Sequence, residues 1–146
     1  MKHIKLFLLI ISIFLTNSNY SQTINIKDAW ARVSAKGSNS AAYFKIINNS
    51  SKNDTLISAE SNSAEVVEIH ETFKENNKMG MRAVKFVEIP AKSEVNFKPG
   101  GLHIMLINLN RNLKNNDTIN LVLKFKLSKE IKMKVPVKDA MNTMKH

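Results

Sequence analysis

LKFKLSKEIKMKV, residues 123–135, alternates in two runs separated by a short polar break. Leu123, Phe125 and Leu127 are spaced by Lys124 and Lys126, and Ile131, Met133 and Val135 by Lys132 and Lys134. A period of two puts one set of side chains on each face of an extended chain, so each run reads as a half-buried strand. Ser128-Lys129-Glu130 between them is the turn of a hairpin. Met133, flanked by lysines, reads as core filler, the ordinary use of a flexible thioether side chain.

The same texture extends upstream. INIKDAWARVSA (24–35), AAYFKIINNS (41–50), DTLISAES (54–61), EVVEIHETF (65–73), MRAVKFVEIP (81–90), SEVNFKPG (93–100), LHIMLINL (102–109), DTINLVLKFKL (117–127) and EIKMKVPV (130–137) each read as one strand or more. Clusters of Asn, Ser, Gly and Asp separate them, and no stretch sustains a helical period. Many short strands with regular turn signals predict an all-β, single-domain β-sandwich.

Composition narrows the function. Lys2 and Lys5 precede the apolar run Leu6–Leu15, which gives way to TNSNYSQ. This is the pattern of a secretory signal peptide over residues 1–21, cleaved after Ser18 or Ser21. The run falls short of the roughly twenty apolar residues that span a bilayer, so no stable membrane insertion is expected. No cysteine follows it, which rules out a cysteine-anchored lipoprotein, and the expected product is soluble and exported. The domain is expected over 22–139, as a monomer, with a Met- and His-bearing tail at 140–146. The net charge of +10 comes from lysines dispersed through alternating strands and from only three arginines. Nucleic-acid binders gather such charge into a stripe, so no nucleic-acid partner is expected. With no cysteine in the chain, soft-metal chemistry falls to Met and His.

That makes GGLHIML, residues 100–106, conspicuous. Leu102, Ile104 and Leu106 claim one face, leaving His103 and Met105 on the face that should meet water. A strand buried on both faces would give the same pattern. EVVEIH likewise sets Val67 and Ile69 against Glu68 and His70, and Met79 and Met81 share a face if MGM is extended. Neutral imidazole and thioether together suit Cu(I) and make a poor set for Zn(II), Ca(II) or Mg(II). Pro99-Gly100-Gly101 supplies the backbone freedom to swing the chain sharply into the His-x-Met strand.

His70 is followed by ten residues, Met81, twenty-one residues, then His103-Ile104-Met105. In this spacing, and in AWAR, AAYFKIINNS, MRAV, IPAKSEVNFKPGGLHIML and VPV, the chain resembles the periplasmic copper(I) chaperones called PCuAC, over roughly 24–137. The resemblance implies a cupredoxin-like or immunoglobulin-like sandwich with His70, Met81, His103 and Met105 as Cu(I) ligands near one end. It also implies delivery of copper to a copper-accepting respiratory oxidase subunit, with a thioredoxin-like copper-assembly protein as a possible second partner. One departure stands out: many members place a Met directly after the first His, where this chain has Glu71. Met79 is a further candidate sulfur. Met141, Met144 and His146 form a sparse soft-ligand cluster in the tail.

Other classes fare worse. A blue-copper electron carrier needs a Cys thiolate, which this chain lacks. No recognised motif places a Ser, Thr or carboxylate as nucleophile or orienting partner for His70 or His103, so no enzyme is expected. The remaining alternative is an exported sandwich that serves as an interaction module without metal.

Overall fold

A computed structural model describes residues 23–140. The signal segment 1–21 with both cleavage points, and Met141, Met144 and His146 of the tail, lie outside the described residues.

Ten strands follow one another: β1 (Ile24–Arg32), β2 (Ser40–Asn48), β3 (Asp54–Glu60), β4 (Ala64–Glu75), β5 (Lys78–Ala83), β6 (Val87–Ile89), β7 (Ser93–Phe97), β8 (Leu102–Leu109), β9 (Thr118–Phe125) and β10 (Ile131–Lys138). Hydrogen bonding connects them in the order β5-β4-β8-β7-β2-β1-β10-β9-β3-β6. The join in the middle is a short parallel pairing of β1 with β10, Ala31 beside Val137 and Arg32 beside Lys138. The apolar faces of the two halves meet in a common core. Phe44, Ile46, Ile69, Phe97, Ile104 and Leu106 come from one half, and Leu56, Ile89, Ile119, Leu121, Leu123 and Val135 from the other. Side chains of this size each contribute roughly 1.5–3 kcal/mol when fully buried. The architecture is the expected all-β sandwich.

The hairpin read from 123–135 is β9–β10. Ile131 pairs with Leu123, Met133 with Leu121 and Val135 with Ile119, so the apolar sets of both strands share the inner face. Met133 is half-buried and packs against the core, as expected of filler. MRAVKFVEIP divides: its start closes β5 and its end is β6, which lie at opposite ends of the strand order. The segment between them, with Val84 N–H donating to the Ile69 carbonyl at 2.8 Å, carries the chain from one layer to the other.

The loop before β10 is fastened by a buried carboxylate. Asp54 Oδ1 accepts from the Thr55 and Leu127 N–H groups at 2.7 and 2.9 Å, and Oδ2 from Ser128 N–H at 2.9 Å. Burial raises the pKa of Asp54, but the hydrogen bonds from Ser128, Leu127 and Thr55 outweigh it and hold the group below the ordinary carboxyl value. A depressed folded-state pKa contributes stability above the unfolded value, near 3.9, and loses it as pH falls through the folded one. Asp54→Ala should therefore cost about 2 kcal/mol at pH 7, the scale for hydrogen bonds to a charged group, and progressively less as pH falls below the unfolded value toward pH 3. Urea unfolding of both chains at the two pH values measures the gap. An equal gap at both would show that the ionised form has no special part.

Candidate metal centre

The two outermost strands of one half, β5 and β4, and their neighbour β8 build the site. β4 and β8 run antiparallel with His70 directly beside His103 and Glu68 beside Met105, while Ile69 and Ile104 pair on the core side. β5 continues the layer, with Met81 beside Thr72 and Met79 beside Lys74. Directly paired residues share a face. His70, Met81, His103, Met105 and Met79 thus all lie on the outer face of three adjacent strands, and Glu68 lies among them.

Two turns fix that register. Asn76 and Asn77, both with positive φ (49° and 62°), join β4 to β5 as a two-residue hairpin loop of the type whose twist matches the strands. Before β8, Gly101 N–H donates to the Lys98 carbonyl at 3.0 Å across Pro99-Gly100, and Gly100 has φ 79°. Proline followed by a positive-φ glycine is the sequence of a type II turn. The expected role of PGG in aiming the His-x-Met strand is met at Gly100. Gly101 adds something the sequence did not announce: its carbonyl accepts from Thr72 N–H at 3.1 Å and also lies 3.0 Å from His103 Nδ1.

The two imidazoles are held by opposite nitrogens. A carbonyl can only accept, so His103 Nδ1 carries the proton donated to Gly101, leaving the lone pair on Nε2. His70 Nε2 lies 2.7 Å from Glu68 Oε2. If Nε2–H donates to that carboxylate, the lone pair of His70 resides on Nδ1, and Nδ1 is buried without any hydrogen-bond partner. An orphaned buried acceptor is costly in a folded protein and calls for an explanation. The rings stand 5.8 Å apart between centroids. Among the described residues, no three His, Cys, Asp or Glu side chains gather as a metal site, and the other soft donors on this face are the thioethers of Met79, Met81 and Met105.

Exposure within the site is uneven. Met79 and Met81 are 71% and 59% exposed, whereas His103 is only 4% exposed. The reading of His103 as water-facing is corrected here: it points away from the core cluster, yet is covered on its own side. Tyr43 of β2 lies 6.3 Å from it between ring centroids, with Trp30 4.7 Å beyond Tyr43 and the Arg32 guanidinium over the Tyr43 ring. Trp30 reaches this position because β1 is irregular between Lys27 and Trp30, where Asp28 has φ 54°. Burial, partly offset by the bond to Gly101 and reinforced by His70 and Arg32, lowers the pKa of His103 below the usual 6.5. The ring therefore stays neutral and able to bind metal at physiological pH.

Glu71, the departure directly after His70, alternates away from this face and is tied to Arg82 Nε at 2.6 Å. The expectation that no carboxylate partners a histidine is corrected by Glu68, 2.7 Å from His70 Nε2, and Tyr43 and the Gly101 carbonyl were not singled out from the sequence. For Glu68 a signal existed, since a carboxylate two residues before a histidine in a strand must share its face. Tyr43 depends on long-range pairing and had none, while the Gly101 carbonyl lies only two residues from His103 but no residue type marked it as an acceptor.

Residues 24–137 match the family described as "Putative lipoprotein LpqE-like". A relative from Leifsonia xyli subsp. xyli, called "Putative lipoprotein Lxx21020", is 30% identical over 125 residues, covering 85% of this chain and 75% of its own length. An uncharacterized Rickettsia prowazekii protein, RP573, is 38% identical over 89 residues, covering 57% of this chain and 49% of its own. Among solved structures, the Cu(I) form of DR1885 from Deinococcus radiodurans superposes with a TM-score of 0.63 at 26% identity, covering 83% of each chain. A copper-bound PCuAC domain from PmoF2 superposes at 0.68 and 21% identity, covering 80% of this chain and 93% of that domain, a likeness of fold. With nearly the whole sandwich matched in sequence and the same fold in those domains, the chain belongs to the LpqE-like family and is built as a PCuAC-type β-sandwich.

Proposed function

We propose that the protein is an exported copper carrier that binds Cu(I) through His70, Met81, His103 and Met105 and passes it to a copper enzyme. The observation that carries this reading is the buried, unpartnered Nδ1 of His70, beside His103 and on the same face as the thioethers of Met81 and Met105. Two neutral nitrogens and two neutral sulfurs form a soft donor set that suits Cu(I). The copper-bound structures of similar fold support the same choice of metal. Export is supported by the leader pattern of residues 1–21 and by the lipoprotein descriptions of the family and a relative, although this chain contains no cysteine.

The protein acts by holding and releasing its cargo, without turnover chemistry. His103, walled in by Tyr43, would anchor the ion, while Met81 on the exposed side is where an incoming donor displaces a ligand. The recipient we favour is the copper centre of a haem-copper respiratory oxidase, with a thioredoxin-like assembly protein cooperating. Residues 22–139 would be the working unit.

Titration of residues 22–146 with Cu(I) against a chromophoric chelator tests the reading. The expected result is one tight equivalent, accompanied by a rise in melting temperature, because a ligand bound only by the native state stabilises it. Failure to compete with the chelator would leave the exported interaction module as the better account.

A further inference from the structure

We infer that Glu68 is a positioning residue that makes His70 a donor through Nδ1. This rests on the copper-carrier reading and adds to it a fifth side chain and a choice of nitrogen. Glu68 and His70 are two apart on β4, so both stand on the outer face, with Glu68 directly beside Met105 and His70 beside His103. The carboxylate Oε2 lies 2.7 Å from His70 Nε2. An ionised carboxylate can only accept, so the proton of the neutral ring is drawn to Nε2 and the lone pair is left at Nδ1. Nδ1 is the atom that is buried with no partner.

The arrangement explains both nitrogens of His70 at once. One is occupied by a hard carboxylate oxygen that suits Cu(I) poorly, and the other is kept vacant at a cost that folding alone does not repay. The reverse orientation would give Nε2 to the site and leave the carboxylate without its donor. His103 shows the complementary device, in which a backbone carbonyl takes Nδ1–H and frees Nε2. The pair would therefore approach one ion through unlike nitrogens, each turned by a partner outside the donor set. Such partners fix ring orientation and raise the basicity of the ligating nitrogen. Glu68 also has the exposure expected of a positioning group: its side chain is 43% exposed, against 14% for His70, so its removal leaves no hole in the core.

The test uses three chains spanning residues 22–146: wild type, Glu68→Leu and Glu68→Gln. Removing the acceptor in Glu68→Leu should weaken Cu(I) binding about 10- to 100-fold in chelator competition, with the melting temperature of the metal-free protein nearly unchanged. Glu68→Gln keeps a carbonyl oxygen for Nε2–H and should recover most of that loss. In copper-free wild type, nitrogen-15 spectra above the histidine pH range should show His70 protonated at Nε2 and slow to exchange, and His103 protonated at Nδ1. Adding Cu(I) should then move the Nδ1 resonance of His70 and the Nε2 resonance of His103.

A proton on His70 Nδ1 in the wild type overturns the proposal, as does unaltered affinity in Glu68→Leu. If Glu68→Gln binds as weakly as Glu68→Leu, charge and not orientation is at work, and the proposal again fails. A wild type that binds no copper removes the carrier reading and this proposal together. Tight wild-type binding with an indifferent Glu68→Leu removes this proposal alone.

Discussion

His103→Ala should lower Cu(I) affinity by about a hundredfold or more, the largest loss at any single position of the site. Partners outside the donor set typically account for 10- to 100-fold in metal affinity, and a donor should cost at least the upper end of that range. Of the four proposed donors, His103 is the best held in advance: 4% exposed, hydrogen-bonded to Gly101 and backed by Tyr43. Its neutral form is favoured by burial, so little is spent on deprotonation when metal arrives. Met81→Ala should lose less, about 10-fold or somewhat more, because an exposed thioether brings no such pre-organisation. Met133→Ala supplies the control. It trims the half-buried edge of the core, on β10, and should lower stability while leaving copper affinity unchanged. Chelator competition with each variant, beside its urea unfolding curve, separates the two effects. Equal loss of affinity in all three variants would mean that copper responds to general loosening of the fold and that the outer face holds no dedicated site.

Ile104→Ala should remove about 3 kcal/mol of stability, within the 2–5 kcal/mol range for truncating a buried isoleucine. Ile104 is fully buried and sits between His103 and Met105, with Ile69 and Ala42 as its cross-strand partners. Domains of this kind hold only about 5–15 kcal/mol in total, so the urea midpoint should fall steeply. Here the inner and outer faces of β8 become linked. Free Cu(I) at about a hundred times its dissociation constant adds about 2.7 kcal/mol to the native state. Copper should therefore restore most of what Ile104→Ala removes. Adding His103→Ala to the same chain should abolish that rescue. A loss below about 1 kcal/mol for Ile104→Ala would mean that β8 does not present its even-numbered side chains to the core as described.

Much of this was legible in the chain because strand periodicity is a local property. Leu123, Phe125, Ile131 and Val135 announced an inner face without knowledge of any partner, and the structure pairs them as a hairpin. The same rule placed His103 with Met105 and put His70 on the polar side of its strand. What periodicity could not supply was the identity of neighbouring strands. Whether the face bearing His103 meets water depends on Tyr43, some sixty residues upstream, and on an irregular β1 that sets Trp30 beside Tyr43. Alternation therefore assigned His103 its face, while its cover, left open between water and a second buried face, comes from outside the strand. Glu71 illustrates the converse, since its destination was settled by an adjacent strand that brings Arg82 to it.

The position of β5 at the margin of the hydrogen-bonded order has a dynamic consequence. Among the described residues it is bonded to β4 alone, across a two-residue turn, whereas β8 lies well inside the layer. Strands of this kind detach and reattach by sub-global opening, at a free energy well below that of unfolding the whole domain. Amide protons of Lys78–Ala83 would then exchange with solvent deuterium far faster than those of Leu102–Leu109, while the sandwich beneath stays closed. A thioether carried on the fraying strand and an imidazole carried on the protected one give the site one part that breathes and one that does not. The stability of the fold and the lifetime of a bound ion can in this way be tuned separately, the first by the core and the second by the grip of β4 on β5.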